Sequence, residues 1–239
     1  MVLLKEACYV IMTEFMILIP GVSHVILCSR ITDPIRVPFC IISSLFVLFD
    51  TFFLFFTVLR DPGRLNKNYT SEDPQVSVEI ANQTFTLKTC TTCKILKDLR
   101  THHCKVCDYC VDRLDHHCPW VANCIGRNNH RTFILLLTCT SLHSVYMIIA
   151  NSMELSFLDP PPGGYGGEVI LIIYSIVLGW SLISLLFYQL CLIVKNRTTN
   201  EHRRKLFKTN PFDYGLFKNC KAFWTMKKDF ALPLALNRT

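Results

Sequence analysis

Residues 37–59, VPFCIISSLFVLFDTFFLFFTVL, run for 23 positions with Asp50 as the only charged side chain. A stretch of that length and character spans a hydrocarbon core as one helix, which takes about 20 apolar residues. Three more stretches qualify, at roughly 9–28, 132–153 and 168–194. With 51% of its 239 residues apolar and a mean hydropathy of +0.32, much of the chain belongs in lipid. The first stretch, CYVIMTEFMILIPGVSHVILC, has neither the short apolar region nor the small-residue cleavage site of a signal peptide. It is read as a retained helix, bent at Pro20-Gly21.

The basic residues set the expected orientation. Of 25 Lys and Arg, 11 fall in 60–131 and 11 in 195–239; Lys5 precedes the first span, Arg30 and Arg36 sit in the first turn, and 154–167 holds none. By the positive-inside rule both termini and the long middle segment face the cytosol. The expected organisation is an N-terminal segment with helices 1 and 2 (1–60), a cytosolic cysteine-rich domain (61–131), helices 3 and 4 with a luminal loop (132–194), and a cytosolic tail (195–239). The fold class is mostly α: a polytopic membrane protein with four transmembrane helices and a small two-zinc domain. On this topology the sequons at Asn68, Asn82 and Asn196 stay bare, and glycan on any of them would reverse the orientation.

Seven of the 13 cysteines lie within 90–124. Disulfides rarely persist in a reducing cytosol, so metal or catalysis is the better reading. The spacing is Cys90-x2-Cys93-x9-His103-Cys104-x2-Cys107-x2-Cys110-x6-His117-Cys118-x5-Cys124. A structural zinc takes four tetrahedral ligands, so two sites use eight of these nine residues. Neighbouring side chains on an extended strand point to opposite faces, which assigns His103 and Cys104 to different metals. The sites then interleave: Cys90, Cys93, His103 and Cys110 in one, Cys104, Cys107, His117 and Cys124 in the other. Spacing alone would equally allow Cys118 as a ligand and Cys124 as the ninth residue. Cys118 is favoured as the free thiol by its company, since His116 can serve as its base and Asp115 can hold that imidazole in one tautomer. Such short separation along the chain calls for a tight turn. A purely structural double-zinc module, with Asp115 and His116 on its surface, stays open on this evidence.

The run Asp115-His116-His117-Cys118-Pro119-Trp120, with the surrounding cysteines and Asn123-Cys124-Ile125-Gly126, resembles the DHHC family of protein S-acyltransferases, the palmitoyltransferases. The likeness covers 90–133, continuing to Asn129 and Phe133. Asp61-Pro62-Gly63, Thr198-Thr199-Asn200-Glu201 and NPFDYGLFKNC, with Asn219, fall in the family's order. Taken alone, Asp-Pro-Gly is an ordinary turn and Thr198 with Glu201 a plausible capping box. Leu99 stands where the family usually has proline.

The resemblance implies ping-pong acyl transfer from acyl-CoA to cysteine thiols of cytosolic or membrane proteins, with Cys118, His116 and Asp115 as the catalytic set. It further implies Trp120 against the thioester, and Thr199 and Glu201 tying the tail to the catalytic domain. Each methylene removed from water contributes roughly 0.8 kcal/mol, which favours holding the chain in a pocket open to the lipid bilayer. The CoA phosphates call for cations. Lys97, Arg100 and His102 are candidates, with His202-Arg203-Arg204-Lys205 behind them; that run is equally suited to anionic lipid. His143 is read either as a limit on acyl-chain length or as a packed polar residue bonded to Asp50 or His24. Golgi or endoplasmic reticulum is the expected membrane. Alternatives are weaker: an idle scaffold would not need Cys118 and His116, a zinc ubiquitin-ligase module would leave no Asp-His beside a ninth cysteine, and a metal transporter would place Cys and His inside the spans. Nucleic acid is not an expected partner, because the basic residues flank helices and are not interleaved with exposed aromatics.

Overall fold

The computed structural model describes residues 2–29, 37–65, 75–157 and 164–225. The chain divides into two units, one of residues 3–58 with 132–188, the other of 59–131 with the segment from 189 onward.

The first unit is helical. Helices α1 (Val2–Ser29), α2 (Val37–Leu59), α3 (His130–Phe157) and α4 (Gly166–Val194) are each long and apolar enough to cross a membrane. They match the four expected spans, with α1 and α3 extended at their ends by several residues. Large apolar side chains such as Leu48, Phe52, Ile170 and Phe187 are exposed, whereas Asp50, His24 and Glu154 are buried. That inverts the pattern of a water-soluble bundle, because polar groups in lipid find partners inside it.

Two of those partnerships were ambiguous in the sequence. His143 Nδ1 pairs with Asp50 Oδ2 at 2.8 Å and its ring stacks on Phe46. His24 lies 3.7 Å from Glu154 instead. Helix α1 runs continuously through Pro20. Proline lacks the N–H that would bond the carbonyl four residues earlier, at Met16. Tyr174 Oη donates to that carbonyl at 2.8 Å and replaces the lost bond. Gly21 lets α1 approach α2, since a Cβ there would overlap the Val47 side chain.

The second unit is built from short hairpins. Strands β1 (Gln75–Ile80) and β2 (Gln83–Lys88) pair antiparallel through Ala81 and Asn82, both at positive φ as a two-residue turn requires. The alternation in QVSVEI and QTFTLK is the sequence signal for this hairpin. Val78 and Leu87 form a small core with Leu96. Strands β3 (His102–Cys104) and β4 (Tyr109–Val111) form a second hairpin, and β5 (His116–Cys118) and β6 (Asn123–Ile125) a third. A single 3-10 turn, Pro119–Val121, joins the last pair. Helices α5 (Thr199–Arg204) and α6 (Leu216–Thr225) complete the unit. Two further cores are rich in cysteine, Cys90, Cys93 and Cys110 with Ile95, and Cys104 and Cys124 with Val111 and Leu114. So small an apolar interior needs stapling.

Candidate functional site

Two ligand sets assemble, each from one knuckle and one hairpin. Cys90, Cys93, His103 and Cys110 bring their ligand atoms within 4.8 Å of one another, as do Cys104, Cys107, His117 and Cys124. Either set could hold a metal ion. The construction repeats: Cys93 N–H points at Cys90 Sγ at 3.4 Å and Cys107 N–H at Cys104 Sγ at 3.5 Å. The residue after each knuckle, Lys94 or Asp108, adopts positive φ. The facing hairpin then supplies a directly opposed pair, His103 with Cys110 or His117 with Cys124. His103 and Cys104 are consecutive on β3 and diverge to different sets, so the sets interleave.

The second set shows why a cation suits it. Hydrogen bonds from Cys107 and Cys124 hold the Cys104 thiol far below the usual range, and the Cys124 thiol is driven up in turn. The Cys104 and Cys107 sulfurs push His117 up to about 10. Thiols that ionise only by sharing protons with one another carry negative charge that a cation would take up.

No turn separates His116 from Cys118. The expectation of one is corrected by β5, on which residues i and i+2 share a face. His117 leaves on the opposite face toward its ligand set, so one strand serves both sites. His116 Nδ1 lies 2.7 Å from Asp115 Oδ2. A carboxylate only accepts, so Nδ1 carries the proton and Nε2 is left facing the thiol. Cys118, 5% exposed, hydrogen-bonds this imidazole. Burial alone would lower the His116 pKa, but bonds to Asp115 and Cys118 outweigh it and lift it to about 9.

Asp115 is fully buried. Burial would raise its pKa, yet the imidazoles of His130 and His116 and the Thr199 N–H hold it well below the usual carboxylate range. Oδ1 accepts from Thr199 N at 2.7 Å, and Oδ2 from Gln189 Nε2 at 3.3 Å. Trp120 stands in the following 3-10 turn and is 47% exposed, available to a ligand.

The tail elements buttress this centre. Thr198 and Glu201 form a full capping box at the start of α5, and Asn200 N–H donates to the Asp115 carbonyl at 3.0 Å. Asn219 Nδ2 donates to Val194 O at 2.7 Å, capping the last turn of α4, and to Asp213 Oδ1 at 2.7 Å. Asp61-Pro62-Gly63 is more than a turn, since Asn128 N–H bonds Pro62 O and Asp112 N–H bonds Gly63 O.

Arg100 is not where the sequence reading put it. It is 2% exposed, and its guanidinium grips Glu201 with bonds of 2.7 and 3.0 Å while donating to the Asn196 side chain and carbonyl at 3.0 Å. It also packs 4.6 Å above the Phe212 ring. The reason is local composition: Glu201 is a buried carboxylate that requires a partner. Lys97 and His102 stay partly accessible. Burial, then Arg204, Lys97 and Arg100, push His102 down to about 4, so positive charge converges on a neutral imidazole. Arg203, Arg204 and Lys205 are exposed. Among the sequons, Asn196 is buried and hydrogen-bonded, which leaves no room for glycan; Asn82 is exposed at the β1–β2 turn, and Asn68 lies outside the described residues.

Sequence reasoning passed over Gln189, His130, Asn196 and Arg113, all buried around this centre. The available signal was a glutamine inside the apolar run LLFYQLCLIV.

The family model described as DHHC palmitoyltransferase matches residues 83–206. Human Palmitoyltransferase ZDHHC14 is 34% identical over 71% of this chain and 43% of its own length. Probable protein S-acyltransferase 7 of Arabidopsis thaliana is 28% identical over 75% of the chain and 48% of its own. Human Palmitoyltransferase ZDHHC9 is 31% identical over 59% and 42%. The chain spans less than half the length of these curated relatives.

Proposed function

The chain belongs to the DHHC palmitoyltransferase family, and from that premise we propose that it moves a long-chain acyl group, palmitoyl above all, from acyl-CoA through a Cys118 thioester to cysteine thiols of cytosolic or membrane proteins. One observation carries the reading: Asp115, His116 and Cys118 are linked in order by hydrogen bonds, while His117 between them belongs to a ligand set. In acylation the Cys118 proton passes to His116 Nε2, the sulfur bonds to the thioester carbonyl, and the CoA thiolate leaves with that proton. In transfer the acceptor thiol gives its proton to the same nitrogen, its sulfur takes the acyl carbon, and Cys118 is released with the proton. Asp115 keeps the ring in the tautomer both steps need.

The ligand sets suit zinc. A tetrahedral ion with Zn–S of about 2.3 Å and Zn–N of about 2.0 Å implies ligand edges of roughly 3.6 Å for S to N and 3.8 Å for S to S. The corresponding separations are 3.3 and 4.0 Å from His103 Nδ1 to Cys93 and Cys110, 3.3 and 3.7 Å from His117 Nδ1 to Cys107 and Cys124, and 3.5 Å between the Cys107 and Cys124 sulfurs. With no ligand place left open, zinc here would supply structure, fixing the hairpins that present β5.

Lys97 and the exposed 203–205 run supply the positive charge suited to CoA phosphates, and the neutral His102 between them could offer an N–H only; Arg100 is withdrawn from that role by Glu201. The domain boundaries at 60, 131 and 194, the cytosolic orientation, and the Golgi or endoplasmic reticulum as the host membrane belong to the same reading. The distribution of basic residues supports that orientation. The test is intact mass of detergent-purified protein after incubation with palmitoyl-CoA. A hydroxylamine-sensitive palmitoyl adduct is expected in the wild type and absent from Cys118→Ser. Protein that carries two zinc ions yet forms no adduct would overturn the proposal in favour of a non-catalytic scaffold.

A further inference from the structure

Gln189 is 1% exposed near the end of α4, and its amide touches three groups. Nε2 lies 3.3 Å from Asp115 Oδ2 and 3.1 Å from Thr199 Oγ1, and Oε1 lies 3.3 Å from His130 Nε2. The orientation of the amide follows from chemistry, because a carboxylate cannot donate and must face the NH2 group. The oxygen then faces His130, whose Nε2 must carry the proton. His130 is itself fixed at the first residue of α3: its N–H bonds Gly126 O at 3.0 Å and its ring meets Phe223 edge-on at 5.1 Å.

We propose that Gln189, oriented by His130, is a positioning residue that fixes the plane of the Asp115 carboxylate and through it the His116 ring. The inference rests on the acyl-transfer reading and adds to it. Oδ1 of Asp115 is held by Thr199 N–H and Oδ2 by His116 itself. Two donors, one of them the group to be positioned, leave the carboxylate free to rotate with its partner. The third donor comes from a different helix and removes that freedom. A glutamine buried in a long apolar helix without such a task would be costly. Gln189 is too buried to touch acyl-CoA, so its loss acts on the rate of thioester formation and not on the acyl-CoA concentration that half-saturates it.

The experiment measures both quantities, with metal content, on the full chain in detergent, using palmitoyl-CoA. Gln189→Met keeps the length of the side chain and removes the amide. Its acylation rate is expected to fall roughly 10-fold, the effect of losing one hydrogen bond to a charged group, with half-saturation and metal content unchanged. His130→Gln preserves a donor near the position of Nε2 and is expected to retain most of the rate, whereas His130→Leu loses the donor and slows the reaction. Both variants lose the ring contact with Phe223, so a packing role predicts equal loss. Wild-type rate in Gln189→Met, loss of rate only together with metal, or equal slowing in the two His130 variants would each overturn the proposal. A wild type that forms no thioester would remove the acyl-transfer reading and this inference together; a wild type that acylates beside an indifferent Gln189→Met removes this inference alone.

Discussion

Removing the Arg100 side chain tests whether the clamp on Glu201 holds the catalytic unit together. Arg100 makes two bonds to the Glu201 carboxylate and two to Asn196, and both partners are buried. In Arg100→Met the Glu201 carboxylate keeps the Thr198 N–H at 2.9 Å, the bond that is its share of the capping box. Breaking a buried pair on one side typically costs about 3–5 kcal/mol, because the surviving charge stays desolvated. For a chain of this size that corresponds to a fall of roughly 6–20 °C in the unfolding midpoint, at ~2–4 °C per kcal/mol. Replacing both partners, as Arg100→Met with Glu201→Leu, removes the stranded charge and leaves mainly the lost cap, worth about 1 kcal/mol. The double variant should therefore be more stable than Arg100→Met alone. The assay is metal release on heating, followed with a chromogenic chelator in detergent. The reasoning is refuted if Arg100→Met costs less than about 1 kcal/mol, or if the two changes simply add.

Cys90→Ser and Cys104→Ser are each expected to lower bound metal from two ions per chain to one, while Cys118→Ser keeps both; elemental analysis of purified protein distinguishes Cys118 from Cys124 as the residue outside the ligand sets. Burial, with Asp112 adding to it, pushes the Asp98 carboxyl up to about 6 against the bonding of Leu99 N–H. Its folded pKa is above the unfolded value, so the stability it contributes is complete below about 4 and lost as pH rises through 6. Asp98→Asn should thus stabilise by up to about 3 kcal/mol at pH 7.5, with the gain shrinking as pH falls from 6 toward 4; a pH-independent gain would contradict this. His143→Ala leaves Asp50 without its 2.8 Å partner and should destabilise the helical unit. If the pair is structural, comparison of palmitoyl-CoA with myristoyl-CoA will show an unchanged preference; a shifted preference would restore the chain-length role.

The readable parts of this fold are those whose cause is local. A helix that must satisfy its own backbone in lipid announces itself by length and apolarity, so four spans were legible. The two ligand sets follow from spacing and from the opposite faces taken by His103 and Cys104, except for the choice of Cys124 over Cys118, which rests on the His116 and Asp115 beside Cys118. Arg100 was misplaced because its partners, Glu201 and Asn196, lie 101 and 96 positions away and nothing near it in sequence points to them. Local charge beside Lys97 and His102 suggested a phosphate instead. The β1–β2 hairpin is legible by the alternation of QVSVEI and QTFTLK. Gln189 could be noticed as an anomaly in an apolar helix, but its three partners, Asp115 just before β5, Thr199 in α5 and His130 in α3, are not brought together by the sequence.

The tripeptide His116-His117-Cys118 illustrates why a motif can be compact while its geometry is not. Alternation along β5 puts the base and the thiol on one face, and a single intervening ligand on the other. Alternation alone leaves the strand free to slide or twist, and a three-residue strand has little pairing to resist it. Register is imposed from outside, by His117 opposite Cys124 in the ligand set, by Asp115 N–H on Ile125 O, and by Asn200 N–H on the Asp115 carbonyl. The carboxylate that orients His116 is in turn held by Thr199 and Gln189. Four consecutive residues, Asp115 to Cys118, therefore make up the linked set, and the segments that position them are spread from β6 to α5. A chain with the same tripeptide but without those contacts would keep the residues and lose the geometry that sets His116 beside Cys118 and turns His117 to the ligand set.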